Sequence, residues 1–239
     1  MRIRVLGFGM GPQHVTPEVA EALRGTDYVL APWKSGQDGL LAVRRAICER
    51  YGVELVAVPD PPRDRDDPAD YPAAVASWHD ARAAAYERVL ARRRGTAGFL
   101  VWGDPSLYDS TIRVVGRLAD RLEAAWDVLP GISAPHLLAA RHRIVLHEVG
   151  RPVHMTTARR LREAVEGGQD NIVVLLGGGP DLPGLADWRI WWGANLGAPG
   201  EELVRGRVGD VMAELAAARA RARAAAGWVM DVQLLRRAR

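Results

Sequence analysis

The sequence has very little cysteine and no long apolar run. Cys48 is the only cysteine among 239 residues, which excludes an intramolecular disulfide and a cysteine-based zinc site. Because Cys48 lies in an apolar helical pattern, we expect it to be an inert core residue. No uncharged apolar stretch reaches the length of about 18 residues that a membrane-spanning helix needs. The apolar stretch at the N-terminus is too short for a signal peptide, so we expect a cytoplasmic protein without a membrane partner.

The sequence also has little lysine and a small net charge. Lysine and arginine together number 32 against 29 acidic residues, which leaves a net charge of +3. This small, evenly spread charge excludes a nucleic-acid-binding arm, and we expect no nucleic-acid partner. Lys34 is the only lysine, so arginine supplies nearly all of the positive charge. Either a coding bias explains this excess, or the protein prefers ligands with several carboxylates, which arginine binds in a bidentate manner.

The first half of the chain alternates short apolar runs with helical patterns. The runs predict five strands, at Arg2–Leu6, Asp27–Ala31, Val53–Val58, Thr96–Trp102 and Trp126–Leu129. The first helix is predicted after Thr16, because a hydroxyl residue followed by Pro17 is typical of a helix start. This alternation predicts an α/β fold with a parallel sheet covered by helices on both faces. In such sheets, ligands bind at the carboxyl ends of the strands.

The second half has a mixed pattern. It predicts strands at Pro152–Met155, Asn171–Leu176, Trp188–Trp192 and Trp228–Leu235, with helices near 157–166 and 208–225. Residues 59–72, rich in proline and charge, predict a surface loop in the first half.

A glycine cluster, GFGMGP, follows the first predicted strand at residues 7–12. A dinucleotide-binding GxGxxG motif would require glycine where Pro12 stands, and a helix that starts within the loop. Here the helix waits until Thr16. We therefore expect a backbone lining for another kind of ligand rather than a nicotinamide or flavin site, and a simple tight turn remains the alternative.

Two further glycine segments follow the fourth and fifth strands. In the first, Gly103 to Tyr108, Asp104 is predicted either to accept a hydrogen bond from a ligand or to cap the helix near Ser110. In the second, Leu129 to Ala134, Ser133 is a candidate helix cap.

The six histidines show no metal-binding spacing, and no Ser-His-Asp or Cys-His arrangement is visible. They are His14, His79, His136, His142, His147 and His154. We expect no metal.

Four segments in order carry a family resemblance: GFGMGP, TPEVAEAL with DYVLA, WGDPSLY, and LPGISA. Together they resemble the tetrapyrrole methylases, which are S-adenosylmethionine-dependent enzymes of cobalamin, siroheme and diphthamide synthesis. The resemblance covers essentially the whole chain. GFLVWGDPSLYDST, VASWHDA, HMTTARRL and GWVMDVQLLRR are similar to the members that methylate carbon 1 of precorrin-5 and release acetate.

The resemblance implies two α/β domains, expected at 1–132 and 133–239, with a cofactor cleft between them, and it implies a homodimer. It implies S-adenosylmethionine as methyl donor and S-adenosylhomocysteine as product. The implied cofactor contacts, largely through main chain, are Gly9, Gly11, Pro12, Gly103, Asp104, Leu107, Ser133, Ala134, Leu176 and Ala194. The sequence departs from the family at Leu176-Gly177-Gly178, where many relatives carry methionine and a bulkier sequel. The shape of the adenosine pocket therefore stays open.

The reaction implied by the resemblance is methylation of precorrin-5 with hydrolytic loss of an acetyl group, which gives precorrin-6A. The hydrolysis needs a general base and groups that hold an oxyanion. Asp104, Tyr108 and His14 are the candidates, and each also has a structural or substrate-binding interpretation. The alternatives are another corrin or uroporphyrinogen methyltransferase without deacetylation, a non-catalytic tetrapyrrole carrier, and a nicotinamide oxidoreductase.

Overall fold

The structure, a computed structural model, describes residues 1–33, 39–62, 70–177 and 182–237. The chain divides into two compact units, Met1–Ile132 and Ser133–Arg239. Residues 63–69, half of the loop predicted at 59–72, and Gly178 of the family departure lie outside the described residues. The ends of that predicted loop belong to other elements, because Pro59 is the last residue of a strand and Tyr71 the first residue of a helix.

The first unit is built on a parallel sheet. Its strands are β1 (Arg2–Gly7), β2 (Tyr28–Trp33), β3 (Glu54–Pro59), β4 (Thr96–Val101) and β5 (Ala125–Leu129). Its helices are α1 (Pro17–Arg24), α2 (Gly39–Tyr51), α3 (Tyr71–Leu90) and α4 (Thr111–Leu122), with a 3-10 turn at Pro12–His14. The strand order is β3-β2-β4-β1-β5, and every neighbouring pair is parallel. The predicted α/β fold with a parallel sheet is confirmed.

The register of the central strands brings their ends together. Arg2 pairs with Thr96 and Gly7 with Val101, while Leu6 pairs with Leu129. The carboxyl ends of β1, β4 and β5 therefore lie side by side at one edge of the sheet. Helix α1 begins as predicted, because the Thr16 hydroxyl accepts a hydrogen bond of 3.2 Å from the backbone N–H of Val19.

The second unit has a mixed sheet. Its strands are β6 (His154–Thr157), β7 (Asn171–Leu175), β8 (Arg189–Ala194), β9 (Glu202–Arg207) and β10 (Asp231–Arg236). Its helices are α5 (Ala134–His142), α6 (Leu161–Glu166) and α7 (Val208–Ala226), with a 3-10 turn at Ala158–Arg160. The order is β6-β7-β10-β8-β9, and among these pairs only β6 and β7 run parallel.

Strand β9 was not predicted from the sequence. Its residues read ELVRGR, and Val204 is the only one of them that is fully buried. An edge strand that carries charge and glycine lacks the apolar run that marks a strand. Its pairing with β8 decides its conformation.

Cys48 is buried in the core of the first unit, as expected. Burial raises the pKa of its thiol to about 11, so the reactive thiolate is scarce at neutral pH. Among the described residues, no helix combines the length and apolar character that a membrane crossing requires.

A buried ion pair anchors the chain just after β3. Both carboxylate oxygens of Asp60 accept hydrogen bonds from Arg82 on α3, at 2.6 and 2.9 Å. The Asp60 side chain is only 4% exposed and that of Arg82 14%. The guanidinium also stacks 4.2 Å from the centre of the Trp78 ring, and the Trp78 indole N–H donates to the Pro61 carbonyl at 3.2 Å. The start of the proline-rich segment is thus held against α3.

We expect Asp60→Asn to lower the free energy of unfolding by about 3 kcal/mol, because it leaves the Arg82 charge buried without its counter-ion. Glu54→Gln is the matched control. It removes the partner of Arg93 from an ion pair at the other end of β3, where the Glu54 side chain is 57% exposed. That loss should stay below about 1 kcal/mol. Urea unfolding of the full chain measures both variants, and equal losses would contradict the importance of the buried pair.

Candidate active site

Three loops meet at the carboxyl edge of the first unit's sheet. They follow β1, β4 and β5 at residues 7–12, 103–107 and 130–132. Gly9 and Gly103 form an antiparallel bridge in which the Gly103 N–H donates to the Gly9 carbonyl at 2.8 Å and the Gly9 N–H donates to the Gly103 carbonyl at 3.2 Å. The loops after β1 and β4 are therefore one hydrogen-bonded unit.

The loop after β5 packs so tightly that no side chain fits at its glycine. A Cβ on Gly131 would overlap the Gly103 carbonyl oxygen and would lie 2.8 Å from the carbonyl carbon of Gly7. A Cβ on Gly7 would lie 2.6 Å from the Gly131 nitrogen and 2.8 Å from Cδ of Pro105. Glycine at 7 and 131 is thus required by the close approach of backbone to backbone.

Asp104 ties two of these loops together. One of its carboxylate oxygens accepts from the backbone N–H of Ser106 at 2.9 Å and from the Ser106 hydroxyl. The other accepts from the backbone N–H of Gly131 at 3.0 Å. Of the two interpretations of Asp104, the helix cap near Ser110 is wrong: Ser110 itself is the N-cap of α4, and the Asp109 carboxylate accepts from the N–H of Thr111 at 2.6 Å.

Tyr108 follows this loop in an unusual backbone conformation. Its φ of 50° is in the left-handed region, which a tyrosine seldom adopts. Its side chain is 45% exposed, and its hydroxyl makes no hydrogen bond to any residue of the described ranges. Leu107, half-buried, is held in the turn by a hydrogen bond from its N–H to the Asp104 carbonyl at 3.2 Å.

His14 closes the loop after β1. Its N–H donates to the Gly11 carbonyl at 2.9 Å, at the end of the 3-10 turn that begins at Pro12. A Cβ on Gly9 would lie 2.6 Å from Cβ of His14, so the histidine packs directly on the Gly9 backbone, where φ is +74°. The Gly9–Pro12 turn therefore owes its shape partly to His14.

Ser133 stands at the start of α5 in the second unit. It occupies the cap position, but its hydroxyl does not bond to the helix backbone. It is paired instead with Nδ1 of His136 at 2.7 Å, and the residue is only 2% exposed. Ser133 is therefore the N-cap residue, as predicted, and its carbonyl accepts the N–H of Leu137 at 3.1 Å, but its hydroxyl is not the capping group. Ala134, the first residue of α5, is half-buried.

Leu176 and Ala194 lie at one edge of the second unit's sheet, each at the carboxyl end of a strand. Val232 pairs with Leu175, the last residue of β7, and Asp231 pairs with Ala194, the last residue of β8. Leu176 has a φ of 54° and is 66% exposed, whereas Ala194 is buried. The structure thus brings Leu176 and Ala194 to two sides of the same strand, β10.

Asp231 is a buried carboxylate between these two strand ends that sequence analysis missed. A Cβ on Gly177 would lie 2.6 Å from Oδ1 of Asp231, so glycine follows Leu176 because the carboxylate fills the space. Burial raises the pKa of Asp231, and Arg219, whose Nε lies 3.4 Å from Oδ2, opposes that shift. Gly177 and Asp231 are far apart in the sequence, so local patterns could not predict this contact.

Asn195, also missed, secures the turn after β8. It is buried with a φ of 50°, which asparagine tolerates better than most residues. Its amide nitrogen donates to the carbonyls of Ala222 and Trp228, both at 3.2 Å, and its amide oxygen accepts from the N–H of Met230 at 2.9 Å. The asparagine in the GAN triplet was the available signal. Within the described residues, no group of three or more histidine, cysteine or acidic side chains could hold a metal ion.

The chain is 41% identical over 252 aligned residues to the precorrin-6A synthase [deacetylating] of a Sinorhizobium species, with 99% of this chain and 95% of that protein covered. The crystal structure of the cobalamin synthesis related protein CobF from Corynebacterium diphtheriae is similar over 99% of this chain and 98% of that one, with 34% identity and a TM-score of 0.82.

The fold is shared more widely. The uroporphyrin-III C-methyltransferase of Thermus thermophilus, solved with S-adenosylhomocysteine, superimposes with a TM-score of 0.60 at 18% identity, over 98% of this chain and 97% of that one. The sequence profile of the Tetrapyrrole (Corrin/Porphyrin) Methylases matches residues 2–212. The resemblance inferred from the strand-end motifs is thereby confirmed, and the chain belongs to the tetrapyrrole methylase family.

Proposed function

We propose that this protein is an S-adenosylmethionine-dependent methyltransferase of cobalamin biosynthesis. It methylates carbon 1 of precorrin-5 and releases acetate, and the product is precorrin-6A. The observation that carries the proposal is 41% identity over 99% of the chain to a precorrin-6A synthase of the deacetylating type. We further propose a homodimer, as the family resemblance implies. We also propose that it works in the cytoplasm, as the cysteine usage predicts, and without a metal, as the histidine spacing predicts.

The strand ends fit an adenosyl ligand held largely by main chain. In the first unit, the Gly9–Pro12 turn, Gly103 and Leu107 lie in loops at the sheet edge where α/β proteins bind ligands. In the second unit, Leu176 is an exposed apolar side chain on a left-handed backbone. Backbone strain of this kind clusters at ligand sites. We assign these residues, with Ser133, Ala134 and Ala194, to the cofactor.

When bound, S-adenosylmethionine supplies a methyl group on a sulfonium. The protein's task in this step is to position the two reactants, and correct positioning can remove about 7–11 kcal/mol of the barrier. Asp104 serves that task by holding the loop after β4 against Gly131. Because its carboxylate accepts hydrogen bonds from the N–H and O–H of Ser106 and from the N–H of Gly131, Asp104 is a positioning residue in this account rather than the hydrolytic base.

The hydrolytic step requires a donor for the oxyanion that forms when water adds to the acetyl carbonyl. Tyr108 presents an exposed hydroxyl that is not engaged by any described residue. We propose that it donates to this oxygen. We assign His14 a structural role: its backbone N–H binds the Gly11 carbonyl and its Cβ packs on Gly9, so that it shapes the turn.

The ligand class is tested by titration. S-adenosylhomocysteine should give a saturable calorimetric signal with the folded protein, while NADH should give none, because Pro12 stands where a dinucleotide motif needs glycine. Heat from NADH alone would support the oxidoreductase alternative. The absence of a calorimetric signal with S-adenosylhomocysteine would overturn the proposed cofactor.

Gly131→Ala should abolish S-adenosylhomocysteine binding, because the added Cβ would push the Gly103 carbonyl away and separate the loops. Gly116→Ala is the matched control: Gly116 lies in α4, and a Cβ there would meet only the Trp126 ring, at 4.0 Å. The control should bind like the wild type. If Gly131→Ala also binds like the wild type in the same titration, the packed loops do not shape the cofactor site.

Asp104→Asn and Tyr108→Phe should separate the two chemical steps. An amide at 104 cannot accept from both loops, so methyl transfer and acetate release should fall together, by about tenfold. Tyr108→Phe should slow acetate release by about 100-fold with methyl transfer largely kept, because only the oxyanion donor is lost.

Mass spectrometry of single-turnover products distinguishes these results. Tyr108→Phe should accumulate a methylated species that still carries its acetyl group. If methylation and acetate release stay in step in that variant, Tyr108 does not act in the hydrolysis. If Asp104→Asn alone accumulates the acetylated species, the assignment of Asp104 to positioning is wrong.

A further inference from the structure

The second unit contains a cavity of about 570 Å³ that the assignments above leave unused. One wall is the 3-10 turn Ala158–Arg160 with helix α6, and the other is residues 182–185. The first wall begins directly after Thr157, the last residue of β6, and β6 runs parallel to β7. The cavity therefore begins beside the carboxyl end of β6.

The lining of the cavity is divided by polarity. Leu161, Leu182 and Leu185 belong to the core of the second unit and present the apolar part of the wall. Arg159 and Arg162 stand at the exposed part, three positions apart on consecutive turns of the chain. A ligand that suits this lining carries an anionic group attached to an apolar body.

The guanidinium of Arg162 forms no ion pair with an acidic residue of the described ranges. Arg160 next to it binds Glu163 with two hydrogen bonds, at 2.9 and 2.6 Å. Arg162 makes no hydrogen bond or ion pair with any residue in the described part of the chain. Among the described residues that line the cavity, Arg159 and Arg162 carry the positive charge and Glu166 is the one acid. A guanidinium matches a carboxylate in shape and can bind both of its oxygens.

We infer that this cavity binds one carboxylate-bearing edge of the tetrapyrrole, with Arg162 as the principal partner of the carboxylate and the leucines beneath the apolar ring. The inference rests on the proposed function, under which the substrate carries acetate and propionate side chains. The cavity is smaller than a whole tetrapyrrole, so it receives an edge and not the full macrocycle. It also gives a use to the HMTTARRL segment, which forms β6 and the wall that follows it.

Equilibrium binding of precorrin-5 under anaerobic conditions tests this inference in the full chain. Arg162→Gln should weaken precorrin-5 binding by about tenfold, the loss typical of one charge-assisted contact at a partly exposed site. Arg162→Lys should restore part of the affinity, since lysine keeps the positive charge but lacks the planar guanidinium that binds both carboxylate oxygens. Binding of S-adenosylhomocysteine should stay unchanged in both variants, which also shows that they are folded.

Arg223→Gln is the matched control. Arg223 is an exposed arginine in the last turn of α7 and does not line the cavity. Its loss should leave precorrin-5 affinity unchanged. Equal weakening in Arg223→Gln and Arg162→Gln would show a general charge effect and would overturn the assignment.

The remaining outcomes separate this inference from the proposed function. If wild-type protein binds precorrin-5 and Arg162→Gln binds it equally well, the inference fails and the proposed function stands. If wild-type protein binds no precorrin-5, the proposed function itself fails. A third arm adds free acetate and succinate: if they bind through Arg162 without displacing precorrin-5, the cavity serves an independent carboxylate, and its assignment to the substrate is wrong.

Discussion

The candidate site depends on one constraint: three strand-end loops approach so closely that backbone touches backbone. Gly7 and Gly131, in the loops after β1 and β5, leave no room for a Cβ, and the Gly9–Gly103 bridge joins the loop after β1 to the loop after β4. The register of β1 with β4 and β5 makes this approach possible, because it ends the three strands at the same level. The Asp104 carboxylate then accepts hydrogen bonds from two of the loops. Loops held in this way present a rigid main-chain surface, which suits recognition by backbone groups.

In the second unit, a buried carboxylate shapes the chain at the strand ends. Asp231 lies between the ends of β7 and β8, and its carboxylate takes the space beside Gly177. Burial disfavours the charged form of Asp231, whereas the nearby guanidinium of Arg219 favours it. This buried ion pair lies beside Leu176, whose backbone adopts the left-handed conformation. In this chain a larger residue after Leu176 would collide with the carboxylate, which accounts for glycine at position 177.

Much of the fold was readable from the sequence, because strong local signals and tertiary packing agree. The alternation of apolar runs and helical patterns predicted the five strands of the parallel sheet, and Thr16 with Pro17 marked the start of α1. Strand β9 was missed since it is a charged edge strand whose pairing with β8 decides its structure. The resemblance placed candidate residues at the strand ends, but it did not reveal what their side chains do.

Those roles depend on which of several available partners each side chain takes. Asp104 accepts from the N–H of Gly131, which is distant in sequence, instead of capping a helix. The Ser133 hydroxyl pairs with His136, three residues along, instead of with the backbone N–H groups of α5. In both cases the sequence offered more than one plausible partner for a polar side chain. The buried ion pair of Asp60 with Arg82 also lay beyond local patterns, because it joins the end of β3 to α3.

The proposed function joins two reactions at one macrocycle, and a single product analysis addresses both. Incubation of the wild-type protein with precorrin-5 and S-adenosylmethionine carrying a ¹³C-labelled methyl group should give a macrocycle that has gained one labelled carbon and lost its acetyl group. Acetate should appear in equal amount. A labelled macrocycle with no acetate would contradict the account and assign the chain to a corrin methyltransferase without deacetylation.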